Sequence, residues 1–135
     1  MISQAEARKR VAADLLTLAN RDAQAMSALA VLPHIDFAIV GFHAQQAVEK
    51  ALKAVMAAHG ISFPKTHNLK ELHDLLLEHG HTSPLTIDQL NELTPYAVTS
   101  RYDLRSIDLL DHVGAELAVA QTLDWAKSSI TLSQE

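Results

Sequence analysis

The chain has 135 residues, the usual size of one domain and enough to bury a hydrophobic core, and it has no cysteine, which excludes disulfides and thiolate metal sites. Apolar residues make up 48% but aromatics only 4%, so the core is expected to be built from Leu, Ala, Val and Ile, a mix that favours helix packing over a sheet. The net charge of −5 argues against general phosphate-backbone binding across the surface.

No stretch approaches the roughly 18 uninterrupted apolar residues of a membrane span, and the start Met1 to Arg8 has no apolar run behind a basic segment, as a secretory signal would. With the lack of cysteine, this leads us to expect a cytoplasmic protein. Ser3 and Glu6 have the spacing of a capping box, which opens a first helix. Val11, Leu15 and Leu18, continued by Ala12, Leu16, Ala19, Ala23, Met26 and Ala30, form its apolar stripe, and Pro33 requires it to end earlier. The second helix is predicted over Asp36 to His59. Phe37, Gly41, Ala44, Val48, Leu52 and Val55 keep a helical rhythm, and Gly60 follows at the C-terminal end.

A third helix is expected to open near Thr66 or Asn68, with Leu69, Leu72, Leu75 and Leu76 apolar and Gly80 closing it. Thr86 and Gln89 form another capping box, behind which Ile87, Leu90 and Leu93 make a short stripe. Thr94 as N-cap and Pro95 at the first helical position would then restart the helix. The last helix is predicted from about Ile107 to Ile130, with Leu110, Val113, Leu117, Ala120 and Leu123 facing inward, and Gly114 marks a close contact. With no internal repeat and no linker, residues 1–135 read as one all-α domain. The expected fold is an up-and-down, antiparallel four-helix bundle with an additional short helix.

The polar side of the second helix carries Gln45, Gln46, Glu49, Lys50 and Lys53 at offsets of three and four. Glu ahead of Lys by four residues is the favourable order. Spacing alone reads as a solvated face with a helpful ion pair.

The order of motifs says more. The string Gln45-Gln46-Ala47-Val48-Glu49-Lys50-Ala51-Leu52-Lys53-Ala54 leads through Gly60 to Pro64-Lys65-Thr66-His67-Asn68-Leu69. Thr99-Ser100-Arg101-Tyr102-Asp103 and a final helix with Leu123-Asp124-Trp125 follow. This succession resembles the HEPN family of small helical domains, over nearly the whole chain and least in the first helix. The resemblance implies a four-to-five-helix bundle that dimerises and pairs with a minimal nucleotidyltransferase in a two-gene, toxin–antitoxin-type module. It also implies, for many members, a metal-independent endoribonuclease with an Arg-x4-6-His motif at the dimer cleft. Imidazole moves a proton at the ribose 2′-hydroxyl or the leaving oxygen, and guanidinium neutralises charge on phosphate.

Arg105 and His112 are separated by six residues, the longest spacing of that pattern, and share one helix face if the segment is helical throughout. Ser106 stands where family nucleases commonly have Asn, Asp or His, and Asp103, Asp108 and Asp111 make the stretch acidic. Arg101 is the second candidate arginine, although it lies too far from His112 for the pattern. The catalytic candidates are therefore Arg105, His112 and Arg101, with RNA as substrate and no cofactor.

The alternative is a non-catalytic module in which Gln45, Gln46, Glu49, Lys50 and Lys53, with Lys65 and His67, bind a nucleotide or dock the partner protein. Tyr102 could stack on a base, although Tyr102, like Trp125, Phe37, Phe42 and Tyr96, reads most simply as a packing residue. His67, His73, His79 and His81 cluster around the third helix without the convergent spacing zinc requires, so no metal site is expected.

Overall fold

The computed structural model describes residues 1–97 and 111–133. Five α-helices and no strand are present among these residues. They are α1 (Gln4–Ala30), α2 (Phe37–Ala58), α3 (Leu69–Glu78), α4 (Ile87–Leu93), followed by a 3-10 turn (Thr94–Ala97), and α5 (His112–Ser133).

Helix ends follow the caps. The Ser3 hydroxyl accepts from Glu6 N–H at 3.1 Å, Asp36 from Ala38 N–H at 2.9 Å, and Asn68 from Glu71 N–H at 3.1 Å. Thr86 and Gln89 make both halves of a capping box. At the other end of α2, Gly60 takes φ +70°, and Ile61 N–H and Gly60 N–H return to the carbonyls of Met56 and Ala57. The same pair of bonds closes α3 around Gly80, from His81 N–H to Leu76 and from Gly80 N–H to Leu77. Both are Schellman closures, which need a left-handed residue after the C-cap.

Two boundaries differ from expectation. Thr94 is not an N-cap: it is helical itself, and its hydroxyl donates to Leu90 O at 2.8 Å while accepting from Leu69 N–H at 3.1 Å. Instead of restarting a helix, Pro95 lies in the 3-10 turn that continues α4. Further on, α5 begins at His112. Asp111 caps it, with Oδ1 accepting from Gly114 N–H at 2.7 Å and the carbonyl from Ala115 N–H at 2.9 Å. Ile107 and Leu110, the expected start of this helix, lie outside the described residues.

The core is centred on α2, which packs most extensively against α1 and then α5. Val40, Ala44, Ala47, Val48, Ala51, Leu52, Ala54, Val55 and Met56 are all fully buried. From its predicted stripe α1 buries Ala12, Ala19 and Met26, one residue every two turns, with Leu15, Leu16, Ala23 and Ala30 packed beside them, whereas Val11 and Leu18 are 47% and 39% exposed. α5 likewise buries Ala115, Ala118, Val119, Leu123, Ala126 and Ile130, while Val113, Leu117 and Ala120 face out. In both helices alanine takes the contact line, since small side chains let backbones approach closely. Ile87 on α4 is also partly exposed, at 38%.

Gly41 marks the closest approach. A Cβ there would lie 2.5 Å from Cδ1 and 2.7 Å from Cγ of Tyr96. The Tyr96 ring in turn meets Phe37 edge-on at 5.5 Å. Gly41→Ala is therefore expected to cost about 1–3 kcal/mol by overpacking, measured as a lower urea midpoint at unchanged m value.

Candidate functional site

The polar side of α2 is not a solvated face. Gln45 is fully buried and Glu49 is 4% exposed. A carboxylate in such a place must have partners, and Glu49 has three. Oε1 accepts from Gln45 Nε2 at 3.0 Å and from His67 Nδ1 at 2.8 Å, and Oε2 from Lys53 Nζ at 3.1 Å. Burial pushes the Glu49 carboxyl up, but the hydrogen bonds from Gln45, His67 and Lys53, with the Lys53 charge, outweigh it and hold the group below its ordinary value.

The same donors fix the loop between α2 and α3. Gln45 Nε2 also reaches the carbonyl of His67 at 2.9 Å, and Lys53 Nζ the carbonyl of Thr66 at 3.1 Å. Gln46 Nε2 donates to Gln45 Oε1 at 2.7 Å, which completes the set. On the loop itself, the Thr66 hydroxyl donates to Glu71 at 3.0 Å and accepts from Asn68 N–H at 3.1 Å. Lys53 also lies 5.7 Å from the centre of the Phe63 ring. Gln45, Gln46, Glu49, Lys53 and His67 thus converge in one network, with Lys65 exposed on the loop it holds. Within the network only His67 is open, its side chain 61% exposed.

Lys50 belongs to a second cluster. Its Nζ binds Asp22 Oδ2 at 2.6 Å, and His43 Nδ1 donates to Asp22 Oδ1 at 2.9 Å, tying α1 to α2. The sequence reading missed Asp22. Its position between Ala19 and Met26 on the buried line of α1 is the available signal, because a carboxylate there needs partners across the interface.

Of the catalytic candidates, Arg101 and Arg105 lie outside the described residues, as does Tyr102. His112 is exposed in the first turn of α5, its ring edge-on to Phe37 with centres 5.0 Å apart. Asp111 is a cap and not a helical residue, so α5 begins at His112 itself.

The remaining histidines have local partners. His73 is buried against the Ser83 hydroxyl at 2.8 Å, and His79 Nδ1 donates to Leu75 O at 2.9 Å. His59 and His81 stand ring to ring, centres 4.2 Å apart, and His59 Nε2 is buried without a hydrogen-bond partner among the described residues. No group of three or more His, Asp or Glu side chains placed to hold a metal ion occurs among the described residues. No described helix is long and apolar enough to cross a membrane.

Burial, with the charges of His59 and His79, pushes the His81 imidazole below its ordinary value of 6.5. The folded protein therefore binds fewer protons here than the unfolded chain does. The His81 contribution to stability is complete above 6.5 and is lost as pH falls toward the folded value. Urea titrations from neutral to mildly acidic pH should show this decline, and His59→Leu should make it shallower.

The model of the HEPN domain matches residues 12–128. Comparisons with curated proteins and with solved structures return no match.

Proposed function

This chain belongs to the HEPN domain family, and we propose that it is the HEPN component of a two-gene, toxin–antitoxin-type module, acting as a metal-independent endoribonuclease. The observation that carries the reading is His112. It is exposed, stands seven positions after Arg105, and its ring is held from one side by Phe37, which Tyr96 buttresses. A ring steadied by aromatic edges but open to water can move a proton at a phosphodiester. Arg105 would neutralise the phosphate charge, with Arg101 the second cation of the stretch.

In this reading residues 1–135 are one domain, a cytoplasmic, up-and-down four-helix bundle with α4 as its additional short helix. The partners are a second copy of the chain and a minimal nucleotidyltransferase. Val113 and Leu117, 72% and 57% exposed on α5, support a docking face near His112. The test is cleavage of RNA by the purified protein in the presence of a chelator. Absence of cleavage under those conditions overturns the nuclease reading.

The alternative use of α2 as a nucleotide-binding surface has less support, because its side chains are committed to one another. Gln45, Glu49 and Lys53 satisfy each other and the loop, and Lys50 is committed to Asp22. What remains for a ligand on that side is His67 and Lys65.

A further inference from the structure

We propose that Glu49 and His67 form a proton-accepting dyad, with Nε2 of His67 open to take a proton from a hydroxyl group. The path of the loop is already fixed twice through its backbone, by Gln45 on the carbonyl of His67 and by Lys53 on the carbonyl of Thr66. The imidazole adds a third link, from a side chain, to the two made through the backbone. Its exposure is unequal to that of its partner: the His67 side chain is 61% exposed and that of Glu49 only 6%.

That asymmetry has a chemical consequence. An ionised carboxylate can only accept, so Nδ1 of His67 carries the hydrogen and the neutral ring keeps its lone pair on Nε2. Nδ1 faces the buried carboxylate at 2.8 Å, and the opposite edge, with Nε2, is left to solvent. When a hydroxyl approaches, its O–H bond breaks, an N–H bond forms at Nε2, and the ring becomes imidazolium. The new charge is paired by Glu49, which stays ionised and receives no proton. Glu49 is therefore a positioning residue, held by Gln45 and Lys53 so that it cannot turn away.

This centre is separate from His112. His112 touches Phe37 at the start of α2, and Glu49 lies more than three turns further along that helix, about 18 Å away along its axis. The substrate class it selects is a hydroxyl compound, with no metal needed for the proton step.

Three measurements on the whole chain test this. Nitrogen-15 NMR of the wild-type imidazoles at mildly alkaline pH should show His67 protonated at Nδ1, and protonation at Nε2 overturns the dyad. Diethyl pyrocarbonate should acylate His67 at Nε2 several-fold faster than His34, which is exposed and has no carboxylate partner among the described residues. Equal rates overturn it, since a loop staple alone would not raise the reactivity of Nε2. Glu49→Gln should bring the two rates together in protein shown to be folded by circular dichroism. If that variant does not fold, the wild-type tautomer and rate ratio decide. With p-nitrophenyl acetate as probe and water as the hydroxyl, His67→Gln should remove most of the hydrolysis the chain catalyses, and unchanged hydrolysis overturns the proton-accepting role. None of these readouts uses RNA, so the dyad and the nuclease reading stand or fall separately.

Discussion

Glu49→Ala is expected to destabilise the protein by about 3–5 kcal/mol, the cost of breaking a buried ion pair from one side. The substitution removes the acceptor of three hydrogen bonds at once. Lys53, its side chain 14% exposed, keeps the Thr66 carbonyl as its one hydrogen-bond acceptor, and Nε2 of the buried Gln45 keeps that of His67. Against a total stability of about 5–15 kcal/mol, this is a large share of the total, and at the lower end of that range it leaves the fold marginal. Urea unfolding measures the effect directly. A loss below about 1 kcal/mol would mean that the pair behaves as an exposed surface bridge.

A double variant, Glu49→Leu with Lys53→Met, separates the causes. Removing both charges eliminates the uncompensated ammonium, so this protein should recover part of the stability that Glu49→Ala loses. The pH dependence has a fixed sign. The folded Glu49 carboxyl lies below its ordinary 4.5, so its contribution is complete above that value and is lost as pH falls toward the folded one. Glu49→Ala should therefore lose less on acidification than wild type does.

How much of this was legible in sequence depends on what each residue type encodes. α2 was read within one residue at each end, because Asp36 caps it, Gly60 closes it and the apolar rhythm between them is long. Capping chemistry is local and survives without tertiary information. The faces of α1 and α5 were legible in part: Ala12, Ala19, Met26 and Leu123 are buried as their stripes predict, but Val11, Leu18, Val113 and Leu117 are not, because both helices are apolar on more than one side and hydrophobicity ranks Val and Leu above Ala. The core selected Ala12, Ala19, Ala115, Ala118 and Ala126 for their small size and left Val11, Leu18, Val113 and Leu117 partly or largely exposed. Spacing alone does not reveal which apolar line meets a neighbouring backbone.

The polar network shows the opposite case. Its members Gln45, Gln46, Glu49, Lys53 and His67 were all named from the motif, but their burial was not foreseen. An i, i+4 pair looks the same on paper whether water or a loop covers it. What distinguishes them is the carbonyl of Thr66 and that of His67, which are long-range partners that only the folded loop supplies. Asp22 went unread for a related reason, since its partners His43 and Lys50 lie on another helix.

His112→Ala is expected to reduce RNA cleavage by about 10²–10⁴-fold, the usual contribution of a positioned acid or base. The loss should fall on kcat with KM little changed, because a proton in flight exists only in the transition state. Fold and stability should barely respond. The ring is exposed, and its edge-on contact with Phe37 is worth about 0.5–1.5 kcal/mol. Phe37→Leu offers the sharper comparison: it leaves the imidazole in place but removes the edge that aims it, so kcat should fall by less than in His112→Ala. Arg105→Lys keeps the charge but not the bidentate geometry, and a drop there would place the guanidinium on the phosphate. If His112→Ala cleaves as fast as wild type, the imidazole at the head of α5 is a packing residue. The search for the catalytic group would then return to the stretch that holds Arg101 and Arg105.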